Sequence, residues 1–306
     1  MPATGEGKGI VIRGEDNWQR VLLNIMSKAG IKADTLAPFR RRGQSVLWLL
    51  TKKSRPYRTI YHLSPCSAIF CVLARLWGKR TVNHWIGTDV MRYHGRLNMR
   101  KRLGIWVHRH LVDLQLADSE ILQDELRAVG IETNVVRLLP QAIVAEVTAL
   151  PEKPAVLSYW DDKRFDFYGG PVVFALAEAF PQVNFLVARA TGKGLTKVPA
   201  NVRFLGMVGN MPDIYRSCTC LIRMPHHDGL SAMVLEAMAH GRYVIYNRDC
   251  PFTSFARDFD SARKALEEIL NKHTPNSAGA DYVKKNFSLG EQAFRLRQLM
   301  ENINGP

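Results

Sequence analysis

The stretch HHDGLSAMVLEAMAHGRYVIYN, residues 226–247, decides how this chain is read. The apolar run CLIRMP before it has the character of a strand ending at Pro225. A polar turn with Gly229 follows, and the apolar spacing then predicts a helix from Leu230 to His240. A strand, turn and helix in this order aim backbone N–H groups and the positive helix end at one spot, which suits a diphosphate. Asp228 lies on the turn, and Glu236 lies about two helical turns inside. From there a carboxylate reaches the paired hydroxyls of a nucleotide's ribose, with the turn carboxylate near a sugar. Two plainer readings compete: Asp228 as a helix cap and Glu236 as a solvated helix residue. The neighbours Val234, Leu235, Ala237 and Met238 weigh against the second, because a carboxylate on a buried helix needs a partner.

Outward from this stretch, short β-branched runs alternate with longer amphipathic ones, the pattern of βαβ units around parallel sheets. In the first half, strands are expected at 9–13, 33–37, 59–63, 81–86, 113–118 and 134–139. Helices are expected over Asn17 to Ala29, Cys66 to Trp77, Asn98 to Arg109 and Glu120 to Val129, with Gly30 and Gly130 at two C-caps. Pro140, Pro151 and Pro154 mark a break. A second series follows: AVLSYW, a helix from Val172 to Phe180, NFLVAR, VRFLG, a helix from Pro212 to Ser217, CLIRMP, the helix above, and RYVIYN. Helices over Ser261 to Asn271 and Glu291 to Ile303 close the chain. The expected organisation is α/β: doubly wound, Rossmann-like domains over 1–150 and 151–285, then 286–306 as a helix packing back on the first. Ligands of such sheets bind at the carboxyl ends of the strands, so a cleft between facing modules is expected.

The 306 residues suffice for two ordinary domains, and 46% apolar with 23% charged residues is a globular composition. The N-terminus MPATGEGKG has no signal-peptide core, and the longest apolar stretch, Ser67 to Trp77, is too short to span a bilayer and carries Arg75. A cytoplasmic location is expected. The five cysteines include no C-x-x-C pair, so buried reduced thiols are expected. The net charge of +14 is concentrated: from Leu36 to His110 there are 16 Lys or Arg and one acid, Asp89. Bases mixed with Trp and Leu, as in RRRGQSVLWLLTKKSR (40–55) and NMRKRLGIWVHRHLV (98–112), suit an anionic membrane surface on its inner face. A solvated surface and nucleic acid are the alternatives, although an aromatic RNA-binding strand signature is absent.

The 226–247 stretch resembles the donor-site signature of family 4 of the retaining glycosyltransferases, whose fold is GT-B. The pattern is E-G-x-G-L-x-x-x-E-A-M-A-x-G-x-P-V-I, met here by Asp228, Gly229, Leu230, Glu236, Ala237, Met238, Ala239, Gly241, Val244 and Ile245. VRFLGMVGNMPDIYRSCTCLI resembles the family's preceding strand, loop and helix, ADSEILQDELRAVGIETNVVRLLP the end of its first domain, and DYVKKNFSLGEQAFRLRQLM its C-terminal helix. The resemblance covers about two thirds of the chain. It implies transfer of a sugar from a nucleoside diphosphate sugar with retention and without a metal or other cofactor, to a saccharide or lipid-linked acceptor. It further implies that Glu236 holds the ribose, that Asp228 meets the donor sugar, and that Gly229, Leu230 and Ser231 hold phosphate and sugar through the backbone. The loop at Gly206, Met207 and Val208 is expected to hold the base.

The departures are specific. Asp228 stands where the family usually has Glu. In place of a G-R-x-x-x-x-K-G run the chain has SYWDDKRFDFYGG, with Tyr168 at the Lys position, so Lys163 and Arg164 are the nearest candidates for the diphosphate. The glycine pair after the first strand is replaced by RGEDNW, placing Arg13 and Gly14 on the acceptor side. Where the family often has His-Gly-x-Asp, HWIGTDV (84–90) offers His84 and Asp89 as catalytic candidates, with a structural His84 and an Asp89 paired to Arg92 or Arg96 as the alternatives. Asp258-Phe259-Asp260 mimics a metal-binding D-x-D but precedes a helix, so a cap is expected. Two other classes stay open: a sugar-nucleotide epimerase of the same fold, and a non-catalytic polyanion-binding protein.

Overall fold

The computed structural model describes residues 9–37, 44–139, 143 and 146–304. Arg40, Arg41, Arg42 and Pro140 lie outside the described residues. The chain divides into two compact units, Met1–Gln141 with Leu289–Pro306, and Ala142–Ser288.

The first unit runs β1 (Ile10–Arg13), α1 (Asp16–Lys28), β2 (Ala33–Leu36), α2 (Gln44–Leu49), β3 (Thr59–Leu63), α3 (Ala68–Leu76), β4 (Arg80–Trp85), α4 (Met99–Leu111), β5 (Leu114–Ala117), α5 (Glu120–Ala128) and β6 (Asn134–Val135). Its six parallel strands lie in the order β2-β1-β3-β4-β5-β6. Both faces are covered, so successive residues of one strand enter different cores. Ile10 and Ile12 pack with Leu22, Ile25 and Met26 of α1, whereas Val11 packs with Trp48 of α2 and Phe70 of α3. The C-terminal helix α11 (Leu289–Asn304) adds Ala293, Leu296 and Met300 to the α1 side. Gly30 and Gly130 follow α1 and α5 with φ of +73° and +80°, the left-handed geometry that ends helices.

The second unit runs β7 (Ala155–Tyr159), α6 (Gly170–Ala179), β8 (Asn184–Ala188), β9 (Val202–Gly206), α7 (Met211–Arg216), β10 (Cys220–Arg223), α8 (Ala232–Ala239), β11 (Tyr243–Tyr246), β12 (Ser254–Phe255), α9 (Phe259–Leu270) and α10 (Ser277–Asn286). Its sheet is also parallel and six-stranded, β12-β11-β10-β7-β8-β9.

Each order reverses once. The winding changes direction between β1 and β3 in the first sheet and between β10 and β7 in the second. At such a point the crossover helices depart to opposite faces, which leaves a crevice at the carboxyl ends of the two strands.

The elements depart from the expected ones where the backbone found other partners. Residues 136–139 do not extend β6 in the sheet: Arg137 N–H donates to Gln292 and Leu138 N–H to the Asp118 carboxylate. The six-residue α2 and two-residue β12 are too short to show a period. α10 begins where the Asn276 side chain accepts from Gly279 N–H. All five cysteines are buried and none is in a disulfide.

Candidate functional site

In the second unit the crevice between β7 and β10 is walled by the loop after β7, residues 160–169, and the turn after β10, residues 224–231. The two are pressed together. Gly169 has φ +79°, and a Cβ there would lie 2.5 Å from the Met224 carbonyl oxygen, so only glycine fits. His226 N–H donates to the Phe167 carbonyl at 2.8 Å.

The turn is also held from β11. The Tyr246 hydroxyl donates to Gly229 O at 2.6 Å, Asn247 Nδ2 to Pro225 O at 2.7 Å, and Arg248 Nη2 to His226 O at 3.3 Å. The N-cap of α8 is Ser231, whose side chain makes no capping bond. Ser231 N–H is bonded to the Tyr246 hydroxyl and Val234 N–H to Ser231 O, so it is the Ala232 and Met233 N–H groups that keep their capacity for an outside acceptor.

Asp228 does not cap the helix. Its Oδ2 accepts from Arg223 Nε at 3.0 Å and Nη2 at 2.7 Å. Arg223 is the last residue of β10 and is buried, with its guanidinium 5.0 Å from the Tyr168 ring centroid and 5.4 Å from that of Tyr159. Burial opposes the Arg223 charge, and the Asp228 carboxylate outweighs it, so the Arg223 pKa lies above its ordinary value. Its remaining nitrogen, Nη1, is buried without a hydrogen-bond partner. Arg189, in the left-handed region at φ +71°, donates to the Tyr159 hydroxyl at 2.8 Å and pairs with Asp161. Tyr159 is thus bonded by one arginine and overlain by another.

Glu236 sits half-buried on α8, and its Oε2 accepts from the Tyr215 hydroxyl of α7 at 2.7 Å. The Tyr215 ring is buried and stacked on His240. Burial raises the Glu236 pKa, and the Tyr215 bond only partly offsets it.

The other expected residues of this unit are held by different contacts. Lys163 and Arg164 occupy a short 3-10 turn, Asp162–Arg164, with exposed side chains; Arg164 lies over Phe167. The cation over Tyr168 is Arg223 instead, from a different strand. Gly206, at φ +61°, uses its N–H on Ala190 O and its C=O on Arg189 N–H. Met207 is 83% exposed and Val208 half-exposed on the same loop. Leu230 is half-buried on the turn. Asp258 caps α9 through Ser261 N–H, and Asp260 lies in that helix's first turn.

In the first unit, the β1–β3 crevice gathers Arg13, Gly14, Ser64 and Asp89. Gly14 is closed against Leu63, where a Cβ would meet the Leu63 Cβ at 2.5 Å. Arg13 lies over the Phe70 ring and 3.4 Å from His62 Nδ1, and burial lowers its pKa. Ser64 holds φ +94° and its side chain bonds Asp89, which also accepts from Ile86 N–H. Burial raises the Asp89 pKa. The Arg92 charge also acts on Asp89, opposing the effect of burial, without a hydrogen bond between them.

His84, offered by the sequence as a catalytic candidate or a structural residue, lies in the core of the first unit. It is fully buried, with Nδ1 2.8 Å from the Tyr61 hydroxyl and Nε2 2.8 Å from Val136 O. Both ring nitrogens are spent tying β4 to β3 and to the segment after β6.

No protein-family model matches the chain, and no curated protein matches it in sequence. Solved structures do match. HepE of Anabaena, crystallised with UDP and glucose, superposes with a TM-score of 0.73 at 13% identity, covering 95% of this chain and 99% of that one. Sucrose-phosphate synthase of Thermosynechococcus elongatus gives 0.72 at 14% identity over 97% and 99%. The apo form of WaaB, a lipopolysaccharide outer core galactosyltransferase, gives 0.67 at 11% over 96% and 99%. With its two parallel six-stranded sheets, the chain has the GT-B fold.

Proposed function

We propose that this protein is a glycosyltransferase that binds a nucleoside diphosphate sugar at the β7–β10 crevice. The observation that carries the reading is Glu236. A half-buried carboxylate whose partner is one neutral hydroxyl weakens the fold, and a glutamine would bond Tyr215 at less cost. Such a group is kept where its charge is used, and two ribose hydroxyls are well suited to the lone pairs that Tyr215 leaves open.

In this reading the diphosphate lies at the start of α8, with the amides of Gly229, Leu230 and Ser231 and the positive field of Arg223 near it. Asp228 holds Arg223 and orders the turn that meets the sugar. Met207 and Val208 offer backbone to the base. HepE is crystallised with UDP and with UDP-glucose, which makes UDP-sugars the first donors to test. Arg13, Gly14 and Asp89 form the acceptor side, with a saccharide or lipid-linked acceptor. Transfer proceeds with retention, a donor phosphate oxygen taking the acceptor proton, so the protein supplies position and charge and needs no strong base or metal.

A screen of UDP-, GDP- and other sugar nucleotides tests the reading by slow hydrolysis. Release of nucleoside diphosphate from at least one donor is expected. Conversion of the donor to its epimer with no diphosphate released, or no turnover of any donor, contradicts it.

A further inference from the structure

The helices α2, α3 and α4 share one core under the first sheet, through Trp48 and Leu49, Phe70 and Ala74, and Val107. Their opposite sides are apolar as well. On α3, Ile69 (66% exposed), Val72 and Leu76 (72% exposed) recur at i, i+3 and i+7, which is one stripe of a helix. On α4, Met99, Leu103 and Trp106 recur at i, i+4 and i+7, each more than half exposed. Leu47 and Leu50 at α2 and Trp77 after α3 extend the exposed apolar surface. Monomeric soluble proteins seldom leave such a run of large apolar side chains in water without a use for it.

The surface is also basic. Lys52, Lys53, Arg100, Arg102 and Arg109 are exposed on the same helices or at their ends. Residues 44–112 contain a single acid, Asp89, which is occupied at the strand ends. Asp113, just past α4, pairs with Arg75 and with Thr81 N–H. No helix among the described residues is long and apolar enough to cross a membrane.

We infer that the outer face of α2, α3 and α4 docks on an anionic phospholipid bilayer. The headgroup region accepts both kinds of side chain: bases stay at the phosphates while Leu, Ile and Trp enter the acyl boundary. Nucleic acid satisfies the bases but leaves the apolar stripes of α3 and α4 in water. A second copy of the chain, placed across a two-fold axis, sets this basic face against itself. The lipid surface alone uses both features. The inference concerns the first unit and holds or fails without reference to a nucleotide sugar.

Vesicle flotation of the full chain tests it, using phosphatidylcholine alone and phosphatidylcholine with phosphatidylglycerol at about two to one. Binding to the anionic vesicles is expected, weakening steeply with salt. Each exposed base removed lowers affinity about 5-fold, so Lys53→Gln with Arg100→Gln and Arg102→Gln together lose on the order of 100-fold. Ile69→Ser with Leu76→Ser and Leu103→Ser together lose at least about tenfold, since each side chain forfeits its burial in lipid. Brominated lipid should quench emission that disappears in the Trp77→Phe, Trp106→Phe variant, whereas buried Trp85 and Trp160 are out of reach. All these positions are exposed, so unchanged thermal unfolding certifies the variants as folded. The inference is overturned by no binding to anionic vesicles at low salt, by equal binding to phosphatidylcholine, by variants that bind like wild type, or by capture of duplex DNA without capture of vesicles.

Discussion

Arg223 and Asp228 hold each other: two guanidinium nitrogens, Nε and Nη2, converge on one carboxylate oxygen at 3.0 and 2.7 Å. Their side chains are 9% and 17% exposed, so the pair is shielded from water. Breaking a buried pair strands the surviving charge. Asp228→Asn should therefore cost roughly 2–4 kcal/mol in urea unfolding. The double replacement Arg223→Met, Asp228→Leu should cost less than Asp228→Asn alone. A wild-type midpoint for Asp228→Asn would leave the turn to be ordered by Tyr246, Asn247, Arg248 and the Phe167 carbonyl.

Glu236 predicts the opposite sign. Its pKa is raised in the fold, chiefly by burial, so folding favours the protonated form. The stability this gives is complete below the unfolded carboxylate range, near 4.3, and is lost as pH rises through the raised value. Glu236→Gln should accordingly be more stable than wild type at pH 7, with the gap closing as pH falls towards about 4. Thermal unfolding across that range checks it. A destabilised Glu236→Gln at pH 7 would mean that the carboxylate serves the fold.

Burial pushes both His84 and His108 down to about 4, so both are neutral in the fold at pH 7. A depressed histidine pKa gives stability that is complete above the unfolded value, near 6.5, and is lost as pH falls towards 4. Each residue should remove up to about 3 kcal/mol over that window. The slope should be reduced in His84→Gln. Stability that stays flat between pH 6.5 and 4 would contradict the placement of these rings.

Chelation tests another part of the account. In the proposed site the leaving diphosphate is met by amides, a helix end and Arg223, and turnover should then survive EDTA nearly unchanged. Loss of turnover that Mn or Mg restores would assign the charge stabilisation to a cation instead.

Much of the fold was legible because parallel strands buried on both faces are near-continuous apolar runs, as in TIYHL and CLIRMP. The exceptions are elements whose backbone is held by distant side chains. Residues 136–139 look like strand, yet Gln292 and Asp118 take the amides of Arg137 and Leu138. The site was legible in part for a similar reason. Asp228 and Glu236 stand out on a turn and an apolar helix, but their partners Arg223 and Tyr215 come from other elements. Tyr168 at the expected Lys position was one signal for Arg223, since a missing cation asks for a replacement. In CLIRMP, Arg223 is itself the only charge in a buried strand, and a buried charge implies a partner. His84 could be read either way, because a histidine at a strand end looks alike whether its ring faces solvent or the core.

The central claim is that Glu236 holds the ribose of a nucleoside diphosphate, and calorimetric titration of wild type and Glu236→Gln with UDP and GDP measures it most directly. One diphosphate should bind the wild type, and Glu236→Gln should bind it 10- to 150-fold more weakly, about the 1.5–3 kcal/mol of a charge-assisted hydrogen bond, while remaining folded. Equal affinity in the two proteins, or no binding of any nucleoside diphosphate to wild type, would contradict the account.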